Sequence, residues 1–256
     1  MDYRVINPTI AAALATCLFF AHEAFCGQRV DELEAICIVL PDCDLDNQEP
    51  EHTPDEIISK YGVTTNAIAA DLKLIASRYG TGETNELLRI ARISAIGWLG
   101  DYGSTNDLEY LAVVATNSAD YAQQSAVGAG IVILRHSPRL IPYARDIVTN
   151  GCLYSVGLRR WVQSQLLGMC EEGKSDNYID DPAQHARIAA FFLELADMRV
   201  YEDDYLFVDR CAYTLNPTYR HSQRRRDNLA AARPSGLTGL PAGIYDARQR
   251  DAVQNE

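Results

Sequence analysis

Apolar residues recur with the spacing of an amphipathic α-helix in segment after segment of the chain. Residues three or four positions apart share one face of a helix, so each stripe marks a face that packs against a neighbour. Alternation of apolar and polar residues, which would indicate strands, is absent from the sequence over any useful length. We therefore predict an all-α chain. The stripes are Ile68, Leu72, Ile75, Ala76 and Tyr79; Leu108, Leu111, Ala112 and Ala115; Leu140, Ile141, Ala144, Ile147 and Val148; Ile188, Phe191, Phe192 and Leu195; and Tyr201, Tyr205, Val208, Ala212 and Leu215.

Start and stop signals agree with these helices. The segment Thr53-Pro54-Asp55-Glu56 has the residues of a capping box with proline at the first helical position. Ser137 and Asp181 each precede a proline, which suits a first turn because its missing N–H costs no hydrogen bond there. The connections are short, so successive helices are predicted to be antiparallel neighbours. Glycines that can adopt a left-handed cap follow helical runs at Gly80, Gly103, Gly151 and Gly173.

The helices also form an internal repeat. The segment Ser94-Ala95-Ile96-Gly97 recurs 31 residues later as Ser125-Ala126-Val127-Gly128. Each copy is followed by a second amphipathic helix, over 106–115 and 138–148, and a degenerate third copy begins near Leu158. A single hairpin of this kind cannot bury its apolar face, so neighbouring hairpins must stack into one continuous core.

The segment from Arg92 to Leu111 has an arginine, a buried-face alanine, a Leu-Gly-Asp turn and a leucine that opens a second helix: Arg92, Ala95, Leu99, Gly100, Asp101 and Leu108. In this pattern the segment resembles a bacterial HEAT-like repeat. The second copy departs from the pattern, with Gln123 or Gln124 near the arginine position and 133–136 in place of the Leu-Gly-Asp turn. The third copy keeps Arg159 or Arg160 and Leu167-Gly168. The resemblance covers 85–173 and implies an α-α superhelix, a HEAT-like solenoid of stacked antiparallel hairpins, with a protein-binding role.

Charge and composition narrow the classes of partner. The 256 residues carry 23 Lys and Arg against 35 Asp and Glu, a net charge of −12. A diffuse basic surface for nucleic acid or anionic lipid is therefore not expected. A protein partner is what the HEAT-like resemblance implies. The hydrophobic fraction of 47% is too high for disorder over most of the length.

The first residues have the layout of a signal peptide. An apolar run over 5–21 follows Arg4, and small residues stand near Ala24 and Cys26. We expect a signal peptide over 1–26, an α-helical repeat domain over 27–232, and a linker and tail over 233–256. The expected location is the periplasm or the exterior. A buried N-terminal helix, a membrane anchor over 5–21 and a cytoplasmic location remain as alternatives.

Two motifs bear on metal and DNA binding. Asp42, Asp44 and Asp46 have the spacing that opens an EF-hand loop, but Asn47 and Thr53 replace its glycine and its bidentate glutamate. We predict an acidic loop there, and no metal or cofactor. The segment 56–78 resembles a helix-turn-helix, yet its second helix lacks a basic recognition face, so a structural hairpin is favoured.

One cluster of positive charge stands out near the C-terminus. Arginine binds carboxylates and phosphates bidentately, so this cluster is the predicted partner-binding surface. The alternative is a solvated helix face whose arginines pair with Glu202, Asp203, Asp204 or Asp227. The cluster consists of Tyr219, Arg220, Arg224, Arg225 and Arg226.

Motifs of known catalytic sites are absent from the sequence. The five histidines are scattered, and G-x-S-x-G, P-loop and Rossmann glycine patterns do not occur. No catalytic residue is therefore predicted. The leading hypothesis is an exported, non-catalytic helical-repeat scaffold. The alternatives are an enzyme of the hydrolase or lyase class, whose cleft is built from dispersed residues, and a cytoplasmic DNA-binding regulator that uses the 56–78 hairpin.

Overall fold

A computed structural model of the chain describes residues 27–38, 53–80, 83–117, 121–173, 175, 177–198 and 205–231, with the backbone alone for 205, 206, 230 and 231. The expectations for 1–26, for Asp42, Asp44 and Asp46, and for 233–256 lie outside these residues. All regular structure in the described ranges is helical, as predicted. In chain order the helices are α1 (27–38), α2 (Pro54–Tyr61), α3 (Thr65–Arg78), α4 (Glu86–Tyr102), a 3-10 turn (Thr105–Asp107), α5 (Leu108–Asn117), α6 (Tyr121–Leu134), α7 (Leu140–Val148), α8 (Val156–Gly168), α9 (Pro182–Met198), α10 (Tyr205–Leu215), α11 (Pro217–Arg220) and α12 (Gln223–Ala231).

The chain divides into two compact units, with the boundary between Leu140 and Ile141. In the first unit α4 packs closely against both α3 and α6, and α5 packs against α6. Within the described residues, no helix is both long enough and apolar enough to cross a membrane. The fully buried core side chains of the first unit include Leu33, Ile68, Leu72, Ile75, Ile96, Leu99, Leu111 and Leu134.

The repeated segments occupy equivalent environments on α4 and α6. Ala95 and Ile96 are buried on α4, and Ala126 and Val127 are buried on α6. The closely packed pairs among the described helices of this unit include α3 with α4 and α5 with α6. The pair α4 and α5, which follow one another in the predicted repeat, is not among them. The hairpins of the structure are therefore α3 with α4 and α5 with α6, whereas the repeat in the sequence predicts a hairpin of α4 with α5.

Ion pairs attach α1 to the helices that follow it. Arg29 donates from Nε to Asp71 Oδ2 at 2.6 Å and from Nη2 to Oδ1 at 3.0 Å, and both side chains are about nine-tenths buried. At the other end of α3, Arg78 donates to Glu34. The two hydrogen bonds hold each charge of this pair against its counter-charge. An ion pair can be buried without a large energetic cost only when its charges are compensated in this way.

The second unit is built around α10, which packs against α8, α9 and α11. Phe191 and Phe192 of α9 are buried in its core. The connection from α8 to α9 is held by His185, whose Nε2 lies 2.9 Å from the Met169 carbonyl oxygen and 2.7 Å from that of Ile179. Nε2 therefore carries the proton, because both neighbours are acceptors.

The predicted start signals are confirmed at two helices. The Thr53 amide donates to Glu56 Oε1 at 3.4 Å before α2, and Asp181 Oδ1 accepts the Gln184 amide at 3.0 Å before α9. At α7 the predicted start is early by two residues. Ser137 begins a turn in which the Leu140 amide donates to the Ser137 carbonyl at 3.1 Å, and the α-helix begins only at Leu140.

The expected left-handed caps are wrong at two glycines, and one residue of the predicted α5 stripe is wrong. Gly173 has the left-handed φ of 68° expected of a cap, but Gly103 has a φ of −83° and the φ of Gly151 also lies outside the left-handed range. The Gly103 amide still bonds the Leu99 carbonyl, and the chain then runs extended into the cap at Ser104. Ala112 is exposed, because the buried stripe of α5 passes through Val114 instead.

Candidate functional site

A solvent-open cleft of about 480 Å³ lies in the first unit, where α4 and α6 end. Its volume falls within the range of small-ligand sites, about 300–1,000 Å³. Four of its lining residues, Asp101, Thr105, Arg135 and His136, are exposed, so the cleft is an accessible groove and not an enclosed cavity. The complete lining is Gly100, Asp101, Gly103, Ser104, Thr105, Val132, Ile133, Arg135 and His136.

Close helix packing forms the base of the cleft. Gly100 lies in the last turn of α4, where a Cβ would be 3.1 Å from Ala129 Cα and 3.2 Å from Val132 Cβ of α6. Such contacts are tighter than ordinary van der Waals separation, so only glycine allows this approach without displacing α6. The two helices therefore end side by side, and their connections form the rim of the cleft.

Asp107 holds the segment that forms one wall. Its Oδ2 accepts the Ser104 amide at 2.8 Å and the Ser104 hydroxyl at 3.2 Å, while its Oδ1 accepts from Lys73 Nζ at 2.5 Å. Burial alone would raise the pKa of Asp107, but the bonds from Lys73 and Ser104 outweigh it and lower that pKa. The carboxylate thus stays charged and connects α3 to the loop beneath the cleft.

Asp101 supplies a carboxylate at the end of α4. Although its side chain reaches solvent, burial of the carboxyl raises the pKa of Asp101; the nearby Arg135 opposes this shift, and the charge of Asp55 adds to it. Burial, the charge of Asp55 and a hydrogen bond to Asp55 also raise the pKa of Tyr102 to about 12. Asp55 of α2 therefore lies close to the end of α4 and adds a second negative charge there.

The turn after α6 forms the opposite wall. Arg135 and His136 are exposed in this turn, at the place where the predicted second repeat departs from the Leu-Gly-Asp pattern. Together the walls present a carboxylate, a guanidinium, an imidazole and hydroxyl groups. This set can bind a polar group that both donates and accepts hydrogen bonds.

The arginine cluster predicted to bind a partner lies in the second unit, and two of its five members are buried there. Arg225 is 4% exposed; its Nε lies 3.0 Å from both carboxylate oxygens of Asp209, and its Nη2 donates to Oδ2 at 2.8 Å. The Arg225 guanidinium also lies 4.4 Å from the ring centre of Tyr213, and Tyr219 is 4% exposed. Arg225 therefore fixes α12 to α10, and the Tyr219 hydroxyl of α11 accepts from Asn228 Nδ2 of α12 at 3.4 Å.

The remaining arginines lie nearer the surface. Arg224 donates from Nε to Asp197 Oδ1 at 2.8 Å, and Arg226 donates from Nε to Gln223 Oε1 at 3.0 Å. Arg220 lies over the Tyr213 ring at 5.5 Å. A partner could therefore reach Arg224 and Arg226 but not the guanidinium of Arg225. The acidic partners Asp197 and Asp209 belong to α9 and α10, and no local sequence pattern identifies them.

The 56–78 hairpin consists of α2 and α3, joined at Gly62, whose φ of 61° ends α2. Both cations of α3 are held in ion pairs, Lys73 with Asp107 and Arg78 with Glu34. The exposed residues of this helix are otherwise Thr65, Asn66, Ala70, Leu74 and Ser77. This face lacks the phosphate-binding charge that DNA recognition uses.

In the described ranges, no group of three or more His, Cys, Asp or Glu side chains is placed to hold a metal ion.

The sequence pattern does not reveal the cleft, because its walls come from two helix ends about 30 residues apart. The one sign of it in the sequence is the replacement of the Leu-Gly-Asp turn over 133–136.

The chain matches no known family of protein domains, no curated protein and no solved structure.

Proposed function

We propose that this chain is a helical-repeat protein that binds a polypeptide partner at the cleft between the ends of α4 and α6, without catalysing a reaction. One observation carries the proposal: an open groove of ligand size presents both charges on a rigid base of packed helices. An open groove leaves room for an extended segment, whereas small-molecule sites more often enclose their ligands in apolar pockets.

The repeat architecture is part of the same proposal. The matched burial of Ala95 and Ala126 on adjacent helices supports a HEAT-like stack. Stacking through α4 and α6 joins the hairpin of α3 and α4 to the hairpin of α5 and α6. An α-α solenoid assembled in this way places successive helix ends along one edge, where a groove can form.

Site-specific photo-crosslinking tests the binding function. A benzophenone amino acid at Thr105, on the exposed rim, is expected to capture one defined protein in the native host. The same amino acid at Ala70, on the exposed face of α3, is the matched control. With the benzophenone amino acid kept at position 105, capture must also be lost when His136→Trp fills the groove. Equal capture from Thr105 and Ala70 would overturn the proposal.

Export is a separate proposal that rests on the layout of 1–26. N-terminal sequencing of protein isolated from its host is expected to show cleavage after Ala21, Ala24 or Cys26. An intact Met1 on the mature protein would contradict it.

An enzyme is the second candidate, because Asp101, with its raised pKa, lines the same cleft as His136. Perturbed carboxyls in clefts occur at catalytic sites more often than elsewhere. Turnover of an ester or amide substrate that Asp101→Asn abolishes, and that Glu86→Gln at the other end of α4 leaves intact, would favour this candidate over the scaffold.

A further inference from the structure

We propose that the cleft receives a single basic side chain, a lysine or arginine, presented by the partner polypeptide. This inference rests on the proposed binding function and specifies the chemistry of the ligand. It follows from the charges around the groove, from the backbone groups that line it and from the position of Arg135 opposite Asp101.

The charges on the α4 side are negative. Asp101 lines the groove, and Asp55 lies close enough for its charge to act on both Asp101 and Tyr102. The α4 and α6 helices both end at the groove, and the carboxyl end of a helix carries about half a negative charge. The positive end of the 3-10 turn is already compensated by Asp107, so it adds little.

Backbone acceptors strengthen this preference. The last carbonyls of a helix have no partner within it. At the end of α4 the Leu99 carbonyl accepts the Gly103 amide, but among the described residues no backbone amide donates to the carbonyls of Gly100 and Asp101. An ammonium or guanidinium group entering beside Asp101 would therefore find a carboxylate and carbonyl oxygens within one small region.

Arg135 limits how many cations can enter. Its charge acts on Asp101 from the opposite wall, and His136 follows it in the same turn. A second cation of the ligand would be repelled there, whereas a backbone carbonyl or an acidic neighbour would be bound. The groove thus selects one basic residue in a neutral or acidic sequence context, and not a polybasic tract.

The test uses N-acetyl-lysine methylamide as the probe, with N-acetyl-norleucine methylamide and N-acetyl-glutamate methylamide as matched ligands. Binding is followed by amide chemical shifts of the intact protein, at Gly103, Ser104 and Thr105. We expect the lysine probe to shift these signals and the norleucine probe not to. Asp101→Asn should weaken binding by about tenfold, the size of one charge-assisted hydrogen bond. Glu86→Gln, the same change at the other end of α4, should leave it unaltered.

Two further variants distinguish recognition from structural damage. Asp101→Glu keeps the charge and should restore most of the affinity that Asp101→Asn loses. Arg135→Gln removes the competing cation and should bind the lysine probe more tightly. The proposal is overturned if the norleucine or glutamate probe binds as well as the lysine probe, or if Arg135→Gln weakens lysine binding. Equal binding of spermidine would also overturn it, because selection of a single basic side chain would then be absent.

The outcomes separate this inference from the proposed function. If Thr105 still captures one partner but the lysine probe does not bind, the ligand class is wrong and the binding role stands. If the lysine probe binds and no partner is captured, the chemistry of the groove stands and the polypeptide-binding role fails.

Discussion

At the scale of single residues, burial decides what each charged side chain does. Arg224, Arg225 and Arg226 are consecutive in the sequence, yet their side chains have different environments. Arg225 is enclosed with Asp209 beneath α12, while Arg224 and Arg226 lie at the surface. A buried ion pair gives little net stability when complete, but removing one partner leaves an uncompensated charge. Arg225 is therefore a structural residue, although the residues on both sides of it are also arginines.

Loss of the Asp209 carboxylate tests this difference. Asp209→Asn leaves the Arg225 guanidinium buried without its counter-charge, and we expect the free energy of unfolding to fall by about 3–5 kcal/mol. Glu194→Gln is the control, because it removes an exposed pair with Arg145 and should cost less than about 1 kcal/mol. Urea denaturation of the two variants measures both. Equal costs would show that the Arg225 pair is not enclosed in solution.

Cysteine environments give a second test at this scale. Burial raises the pKa of Cys37, Cys170 and Cys211 to about 12 each, with neighbouring acidic groups adding to the shift. A raised pKa keeps these groups as thiols near neutral pH, and the thiolate is the nucleophile. At pH 8 we expect iodoacetamide to modify the exposed Cys152 well before these three, as peptide mass mapping would show. Fast labelling of Cys211 in the native protein would contradict the burial of α10.

At the scale of helices, local pattern and long-range packing contribute different information. The stripes of α3 and α9 follow from helical periodicity alone, and the sequence predicts them correctly. The pairing of α4 with α6 depends on close approach at Gly100, which involves residues of another helix. Likewise Ser104 and Asp107 override the cap that Gly103 would otherwise form. The walls of the cleft also depend on contacts between helices, so helical periodicity alone does not locate the cleft.

Valine substitutions at two glycines of α4 test the close approach. Gly100→Val places a branched side chain against Ala129 and Val132, and overpacking of this kind costs about 1–3 kcal/mol. Gly97→Val is the matched control, since nothing lies within 4 Å of a Cβ there. Its effect should be neutral, or stabilising by a few tenths of a kcal/mol from helix propensity. Thermal unfolding compares the two, and a Gly100→Val protein as stable as Gly97→Val would show that α4 and α6 are farther apart.

At the scale of the whole molecule, the net charge of −12 acts differently from the charges of the cleft. The negative field of the chain extends over a distance set by salt, about 8 Å at 0.15 M and about 30 Å at 0.01 M ionic strength. At physiological salt only groups near the ligand matter, so Asp101 and Asp55 determine how a cation is held. At low salt the distant acidic groups also attract it. The overall charge thus favours encounter with a basic partner without specifying where it binds.

Salt dependence of lysine-probe binding separates these two contributions. Glu86 stands 15 residues before Asp101 on α4, which places it about 22 Å away along the helix axis. At about 0.15 M salt, Glu86→Gln should therefore bind the probe as the wild-type protein does, and near 0.01 M it should bind measurably more weakly. Asp101→Asn should weaken binding at both ionic strengths, because its carboxylate contacts the ligand directly. Chemical-shift titrations at the two salt concentrations provide the measurement. If the two variants lose affinity equally at physiological salt, the probe is bound by the general field of the protein, and the cleft has no specific role.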